Sequence, residues 1–339
     1  MMTIQEIEAA CANSQPIPPG DSVYARMEFP FTRRLYPLGF PVEFSSNCEA
    51  VLDAAAEGWG EFDQMFSITP IRIQVGVLEG QSSDCPPAPS YRVQQHMFSF
   101  VADQENFGTI DLCDSFVAIW LTKAAVANRS YLRHFFLECA MVCPIATRYA
   151  TGVHSACVSR DGVGVLLCGD SGAGKSTLAY ACAKAGWTYV TDDGSYLVHG
   201  SDELLAVGNC HQVRFRPPSS EFFPEIAGHE ITRRAQVGKP SIELSPTTMP
   251  GIRVAQAATI KHMVLLNRRE GKNCGLQPYS KDVLRQFLRQ GRFSPLTLMP
   301  PHYATIERLL ELDAMELKYR DLDWAIARLE ELVDRTAGA

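Results

Sequence analysis

Residues 153–198 read VHSACVSRDGVGVLLCGDSGAGKSTLAYACAKAGWTYVTDDGSYLV, and their succession of strand, glycine loop, helix and strand decides the fold. Within them GDSGAGKS, Gly169 to Ser176, matches G-x-x-x-x-G-K-[ST]. Glycines at 169, 172 and 174 let backbone N–H groups turn inward around phosphate oxygens, where a side chain would intrude. Lys175 has the reach for the terminal phosphates, and the Ser176 hydroxyl can ligate Mg2+. The helix that follows points its positive end at the anion. Asp170, Ser171 and Ala173 complete the loop and Thr177 follows it, so residues 169–177 are the expected contacts for ATP. The apolar run VGVLLC ahead of the loop reads as a buried strand, and Gly186 as the left-handed cap of the helix.

The flanks add two carboxylates and an imidazole. Asp161-Gly162 is a two-residue hairpin signal between strand patterns. That turn makes paired residues sum to 323, which sets His154 opposite Gly169, unless a bulge shifts the register. Asp192 ends the strand after the helix, on the rim where parallel α/β sheets place ligands. A carboxylate there can take a proton from an attacking hydroxyl or hold the metal. Asp192 is read as the base and Asp193, with Ser176, as a metal ligand. Asp193-Gly194 is also a good hairpin turn, and a strand histidine is also a common structural residue, so both alternatives stay open.

The stretch from Val153 to Val198 resembles the catalytic core of the HPr kinase/phosphorylase family. That family carries a His at the start of a hairpin, a G-D-S-G-x-G-K-S loop and an Asp-Asp pair after the next strand. The resemblance implies a phosphoenolpyruvate-carboxykinase-like α/β nucleotide domain, with Asp192 as base toward a serine hydroxyl, and His154 and Lys175 beside it. Three departures stand out. Thr177 replaces the family's Glu after the loop. Gln212 stands where a metal-binding Glu is usual, although Arg214 is kept for the nucleotide. The Gly/Arg-rich segment linked to phosphorylase activity is missing. The resemblance thus implies an ATP-dependent kinase acting on a serine of a protein or peptide. An ATP-binding sensor without transfer and a small-molecule kinase are the alternatives.

Outward from this core, the expected fold class is α/β. A P-loop domain of the HPr kinase C-terminal type, residues 129–339, follows an α+β domain of unknown role, residues 1–128. In that first part PIRIQVGVL, YRVQQHMFSFV and SFVAIWL read as strands and CEAVLDAAAEGW as a helix, with SYLRHFFLECAMV as a helix leading onward. Arg214 and Arg216 alternate with apolar residues and share one strand face, suited to clamping phosphate or to facing solvent. Lys239 is a loop candidate for a phosphate contact, and Asn267–Arg269 reads as a charged turn.

With 339 residues, 46% of them apolar, the chain can bury a full core. A net charge of −7 argues against a broad nucleic-acid face. No leader-like segment and no apolar run long enough for a membrane helix are evident, so a soluble cytoplasmic protein is expected. The eleven cysteines lack regular spacing, which fits reduced, buried thiols. The expected partner is a protein or peptide bearing a serine hydroxyl, with neither nucleic acid nor membrane, and a homo-oligomer left open.

Overall fold

The computed structural model describes residues 3–15, 27–233, 240–268, 274–290 and 294–337. These form a mixed α/β structure with several sheets. Lys239 and Arg269 lie outside the described residues. After the N-terminal helix α1 (Ile4–Ala12) come β1 (Phe31–Leu35), β2 (Val42–Ser46), α2 (Glu49–Trp59) and β3 (Ile71–Leu78). Then follow β4 (Ser90–Gln94), β5 (Met97–Val101), β6 (Phe107–Asp111) and β7 (Phe116–Thr122). They pair in the order β1-β2-β3-β7-β6-β5-β4, with β2, β3 and β7 parallel. Along β3, Ile71, Ile73 and Val75 are fully buried and alternate with Arg72 and Gln74. This period of two presents one apolar face to a core.

One expected strand is two. YRVQQHMFSFV folds back as β4 and β5, pairing Gln94 with Met97 across Gln95-His96. Gln95 takes a φ of 55° there, a turn position that its residue type does not advertise.

The helical run after β7 comprises α3 (Lys123–Ala127), α4 (Arg129–Tyr131), a π-helical turn Leu132–Leu137 and α5 (Glu138–Arg148). Its Phe136, Ala140, Met141 and Ile145 are buried in the core of the first sheet. The sequence reading grouped this helix with the second unit; its apolar face packs with the first.

The second sheet holds β8 (Ala150–Val153), β9 (Ser155–Arg160), β10 (Val163–Cys168), β11 (Thr188–Thr191), β12 (Ser195–Val198) and β13 (Leu205–Gly208). A three-stranded satellite is built from β14 (Val213–Phe215), β15 (Ile231–Arg233) and β16 (Pro240–Leu244). The main sheet is completed by β17 (Arg253–Val254), β18 (Ala257–Asn267), β19 (Gly275–Pro278) and β20 (Ala314–Lys318). Its order is β17-β11-β9-β10-β18-β13-β12-β8, with β20 on β18 and β19 on β20.

The hairpin of β9 and β10 has the expected register, from Val163 opposite Arg160 to Cys168 opposite Ser155. Asp161 and Gly162 carry φ of 51° and 81°, the two positive values of a type I′ turn. Because β9 runs antiparallel to both β10 and β11, those two strands run the same way and end on one rim. Between them in sequence, α6 (Lys175–Lys184) covers one face with α9 (Leu322–Ala337), burying Leu178, Cys182, Leu329 and Val333 against Val165 and Leu167. The other face takes α7 (Lys281–Arg289) and α8 (Met299–Glu311), whose Leu284, Leu288, Ile306 and Leu309 meet Leu166 and Cys168. Alternate residues of β10 thus feed two different layers, which is why the strand is apolar throughout. No helix among the described residues is long and apolar enough to cross a membrane.

VHSACVS, the strand pattern ahead of the Asp161-Gly162 turn, is not a single strand. It breaks at His154, where β8 leaves to pair with β12 while β9 pairs with β10 and β11. The sheet curls so that Ser195 Oγ still donates to Ser155 O at 3.1 Å. The curl also presses β11 on β13: a Cβ at Gly208 would stand 2.5 Å from Thr191 Cβ. Gly208→Ala should therefore cost about 1–3 kcal/mol, as overpacking does. A urea melt checks this, and an unchanged midpoint would contradict so close an approach.

Candidate functional site

The glycine loop lies between the end of β10 and the start of α6. Gly172 and Gly174 have φ of 93° and 96°, which L side chains rarely adopt. At Gly174 a Cβ would also meet Tyr319 Oη at 2.7 Å, so this position is closed to other residues. Tyr319 follows β20 and donates to Ala173 O at 3.4 Å, pinning the loop from the core.

Lys175 is almost wholly buried and folds back over the loop. Its Nζ donates to Gly169 O at 2.8 Å and to Asp170 O at 3.2 Å. The same Nζ stands 3.0 Å from His154 Nε2. An ammonium only donates, so Nε2 accepts and Nδ1 keeps the ring proton, facing Asp193 Oδ1 at 3.4 Å. Burial lowers the Lys175 pKa, and the carboxylates of Asp193, Asp170 and Asp192 work in the opposite sense. His154 thus stands beside the loop, as expected, one residue before the last pair of the hairpin, Cys168 opposite Ser155.

Asp192 is buried at the end of β11, and its Oδ2 accepts from Arg214 N at 3.0 Å. Burial raises its pKa from 3.8 to about 6, and the negative charge of Asp193 adds to the rise. Opposing this are the Arg214 N–H and guanidinium and a hydrogen bond with the Ser176 side chain. Asp193-Gly194 does not form a hairpin turn: β12 pairs with β13 and β8, not with β11. The two carboxylates instead sit in a bend between strands of different regions of the sheet.

Arg214 and Arg216 do share a face. Arg216 Nη2 donates to Ser171 Oγ at 2.8 Å, so this arginine reaches the loop itself. Arg214 lies opposite Glu243 on β16, with Nε 3.0 Å from Glu243 Oε1, although off the hydrogen-bond direction. Its Nη2 is 3.4 Å from Glu138 Oε2, on the helix of the first core. Burial works against the Arg214 charge, but Glu138, Glu243 and Asp192 outweigh it and raise its pKa. Gln212 donates through Nε2 to Glu243 Oε2 at 2.9 Å, so a carboxylate stands next to this amide. Asn267 donates to Glu316 at 2.7 Å, and Arg268 lies over the Phe222 ring at 4.9 Å, away from a charged-turn role alone.

Sequence reading missed Glu138, Glu243 and Tyr319. Glu243 was within reach of a strand-pairing argument, since it alternates with the buried Ile242 and Leu244 and lies opposite Arg214. Glu138 had no local signal, because only the packing of the first core brings it to the rim.

Cavities border the loop and its neighbours. One of about 530 Å³ is lined by Gly169, Gly172 and Ala173 together with Tyr279, Phe287 and Glu316. Another of about 340 Å³ holds Asp192, Asp193, His154 and Arg214 against Trp59 and Glu138.

No family model and no curated protein matches the chain. Among solved structures, the HPr(Ser) kinase/phosphatase from Coxiella burnetii matches at 13% identity, with a TM-score of 0.30. The match covers 55% of this chain and 96% of that one. A likeness this slight carries no argument about fold or activity, and the site has to be judged on its own geometry.

Proposed function

We propose that this chain is an ATP-dependent kinase that transfers phosphate to a hydroxyl, a serine of a protein or peptide. The observation that carries the reading is the gathering of Lys175, His154, Ser176, Asp192 and Asp193 on one rim, beside a glycine loop at a helix start. In this reading the phosphates rest on the N–H groups of residues 169–177, with Arg216 and Arg214 nearby. The base of the nucleotide takes the cavity beside Tyr279 and Phe287. Lys175 turns from Gly169 O and Asp170 O to the terminal phosphates.

Ser176 Oγ and the Asp193 carboxylate suit Mg2+, a hard cation that takes oxygen ligands and fills its shell with phosphate and water. Among the described residues no three His, Cys, Asp or Glu side chains are arranged to hold a metal alone. Ligands shared with a nucleotide are what Mg2+ commonly uses, so the residues fit. The ion would neutralise charge developing on the transferred group. Asp192 accepts the proton of the acceptor hydroxyl as its oxygen bonds to the γ-phosphorus and the bond to the bridging oxygen breaks, releasing ADP. His154 fixes Lys175 and, through Nδ1–H, Asp193.

Phosphoryl transfer depends chiefly on such positioning and charge stabilisation. The sensor alternative draws on Gln212 in place of a Glu. A buried carboxylate beside the loop, its pKa raised to about 6, favours transfer, since binding alone needs no base.

The test is a thermal melt of the protein titrated with ATP and Mg2+. At ligand concentrations of roughly 100 times Kd, stabilisation should reach about 2.7 kcal/mol. ADP should also form slowly with water as acceptor. No stabilisation at millimolar ATP would sink the reading, and stabilisation without any turnover would favour the sensor.

A further inference from the structure

Three parallel strands end side by side at the glycine loop. β10 pairs in parallel with β18, and β18 with β20, so the residues that follow them share one rim. The loop follows β10, and Tyr319, which follows β20, pins it at Ala173 O. Arg268 follows β18 and is exposed. Its Cδ lies 3.8 Å from the point a Cβ at Gly174 would occupy, so the side chain passes the loop where α6 begins. Arg268 also lines the cavity of about 530 Å³ beside Gly169, Gly172 and Ala173.

The far end of this arginine has a seat. Its Cζ stands 4.9 Å from the centroid of the Phe222 ring, within cation–π range. Phe222 is 41% exposed, while its neighbour Phe223 is buried against Tyr180. Glu225 accepts from Tyr180 Oη at 3.3 Å and from Lys184 Nζ, both on α6. The segment around Phe222 is thereby fastened to the helix that begins at the loop, which holds the ring in place beside the phosphate cradle. A guanidinium stacked by its face keeps its N–H donors in its own plane, as a fork that matches two oxygens of a phosphate. An ammonium has no such division between face and edge.

We propose, on the premise that the loop binds ATP as above, that Arg268 stacked on Phe222 binds the α- and β-phosphates of the nucleotide. The γ-phosphate belongs with Lys175, His154 and the carboxylates of Asp192 and Asp193. The cavity of those carboxylates shares no described lining residue with the cavity of Arg268, which lies between the loop and the space given to the base. Arg268 therefore holds substrate and product alike and takes no part in bond making.

The test is calorimetric titration of the full chain with ATP, ADP and inorganic tripolyphosphate, each with Mg2+. Arg268→Ala should weaken all three by about 10–100-fold, and ATP and ADP by the same factor. In turnover KM for ATP should rise while kcat stays near the parent value, as loss of uniform binding requires. Arg268→Lys keeps the charge without the fork and should remain at least about threefold weaker than the parent. Phe222→Leu should cost about 2–5-fold in ADP affinity, and nothing further when Arg268 is already Ala. Arg268 is exposed, so the ligand-free melting temperature of its variants should match the parent and separate binding from folding. Parent-like ADP affinity in Arg268→Ala overturns the proposal, as do additive losses in the double variant. A loss confined to ATP moves the contact to the γ-phosphate, and a loss that spares tripolyphosphate moves it to the base; either overturns the proposal too. A parent that binds ATP but not tripolyphosphate does the same, since its affinity then lies in the base. Each of these leaves the kinase reading standing, whereas a parent that binds none of the three ligands overturns the nucleotide reading itself.

Discussion

Asp192→Asn is expected to bind ATP and to transfer phosphate about 10²–10⁴-fold more slowly, the usual contribution of a general base. Three observations set this expectation. Asp192 directly follows β11, which runs parallel to β10 with β9 between them, so its carboxylate shares the rim with the glycine loop. It is fixed by the Arg214 N–H at 3.0 Å and hydrogen-bonded with Ser176. Burial brings its pKa to about 6, where the group is ionised at neutral pH yet basic enough to accept a proton. The amide can still accept from Arg214 N, so the geometry survives while proton acceptance is lost. A parent-like rate in quench-flow or ADP-release assays would move the base elsewhere, with Asp193 next in line.

The same substitution has a stability signature in the metal-free protein. A carboxyl whose folded pKa lies above its unfolded value binds more protons when folded, between those two values. Its contribution is therefore most favourable at acid pH and is lost as pH rises from about 4 through about 6. Asp192→Asn removes that penalty. Relative to the parent it should gain on the order of 2–3 kcal/mol between pH 4 and pH 8, from a shift of about two units. Urea melts at the two pH values in EDTA measure it. A stability difference that does not change with pH would mean that Asp192 is as well solvated folded as unfolded.

What could be read from sequence follows the range of each interaction. The register of the hairpin β9–β10 was legible because Asp161-Gly162 admits the two positive φ values and strand pairing has a strict period. The loop Gly169–Ser176 was legible for a similar reason, since three glycines mark backbone positions that other residues cannot fill. The break at His154 was not: nothing in VHSAC disfavours extension, and only the separate partners of β8 and β9 impose it. The hairpin alternative at Asp193-Gly194 could not be decided locally, because a turn preference is weaker than the pairing of β12 with β8 and β13. The π-helical turn and Glu138 were beyond local rules altogether. Glu138 meets Arg214 only after the first core has packed, so a residue grouped with neither motif helps to hold the strand that fixes Asp192.

Lys175→Met should weaken ATP binding by about 10–100-fold and leave the ATP-free protein close to its parent in melting temperature. A hydrogen bond to a charged group contributes about 1.5–3 kcal/mol, and Lys175 is the cation placed to reach the terminal phosphates. Without ligand its ammonium is in an unfavourable place: burial lowers its pKa below the ordinary lysine value. A lysine whose folded pKa is depressed destabilises the fold at every pH below that pKa, and the penalty lifts only as pH rises toward the unfolded value. Methionine removes the penalty at pH 7 and keeps an apolar stem of similar length. In exchange, Gly169 O and Asp170 O lose the donor now 2.8 and 3.2 Å away. Each lost bond is about 1 kcal/mol, and relief of the buried charge works in the opposite sense. Calorimetry for affinity and a melt without nucleotide separate binding from folding. A large fall in the ligand-free melting temperature would make Lys175 a structural clasp of the loop. Unchanged ATP affinity would take the phosphates off the loop altogether, and with them the role of Asp192 as base.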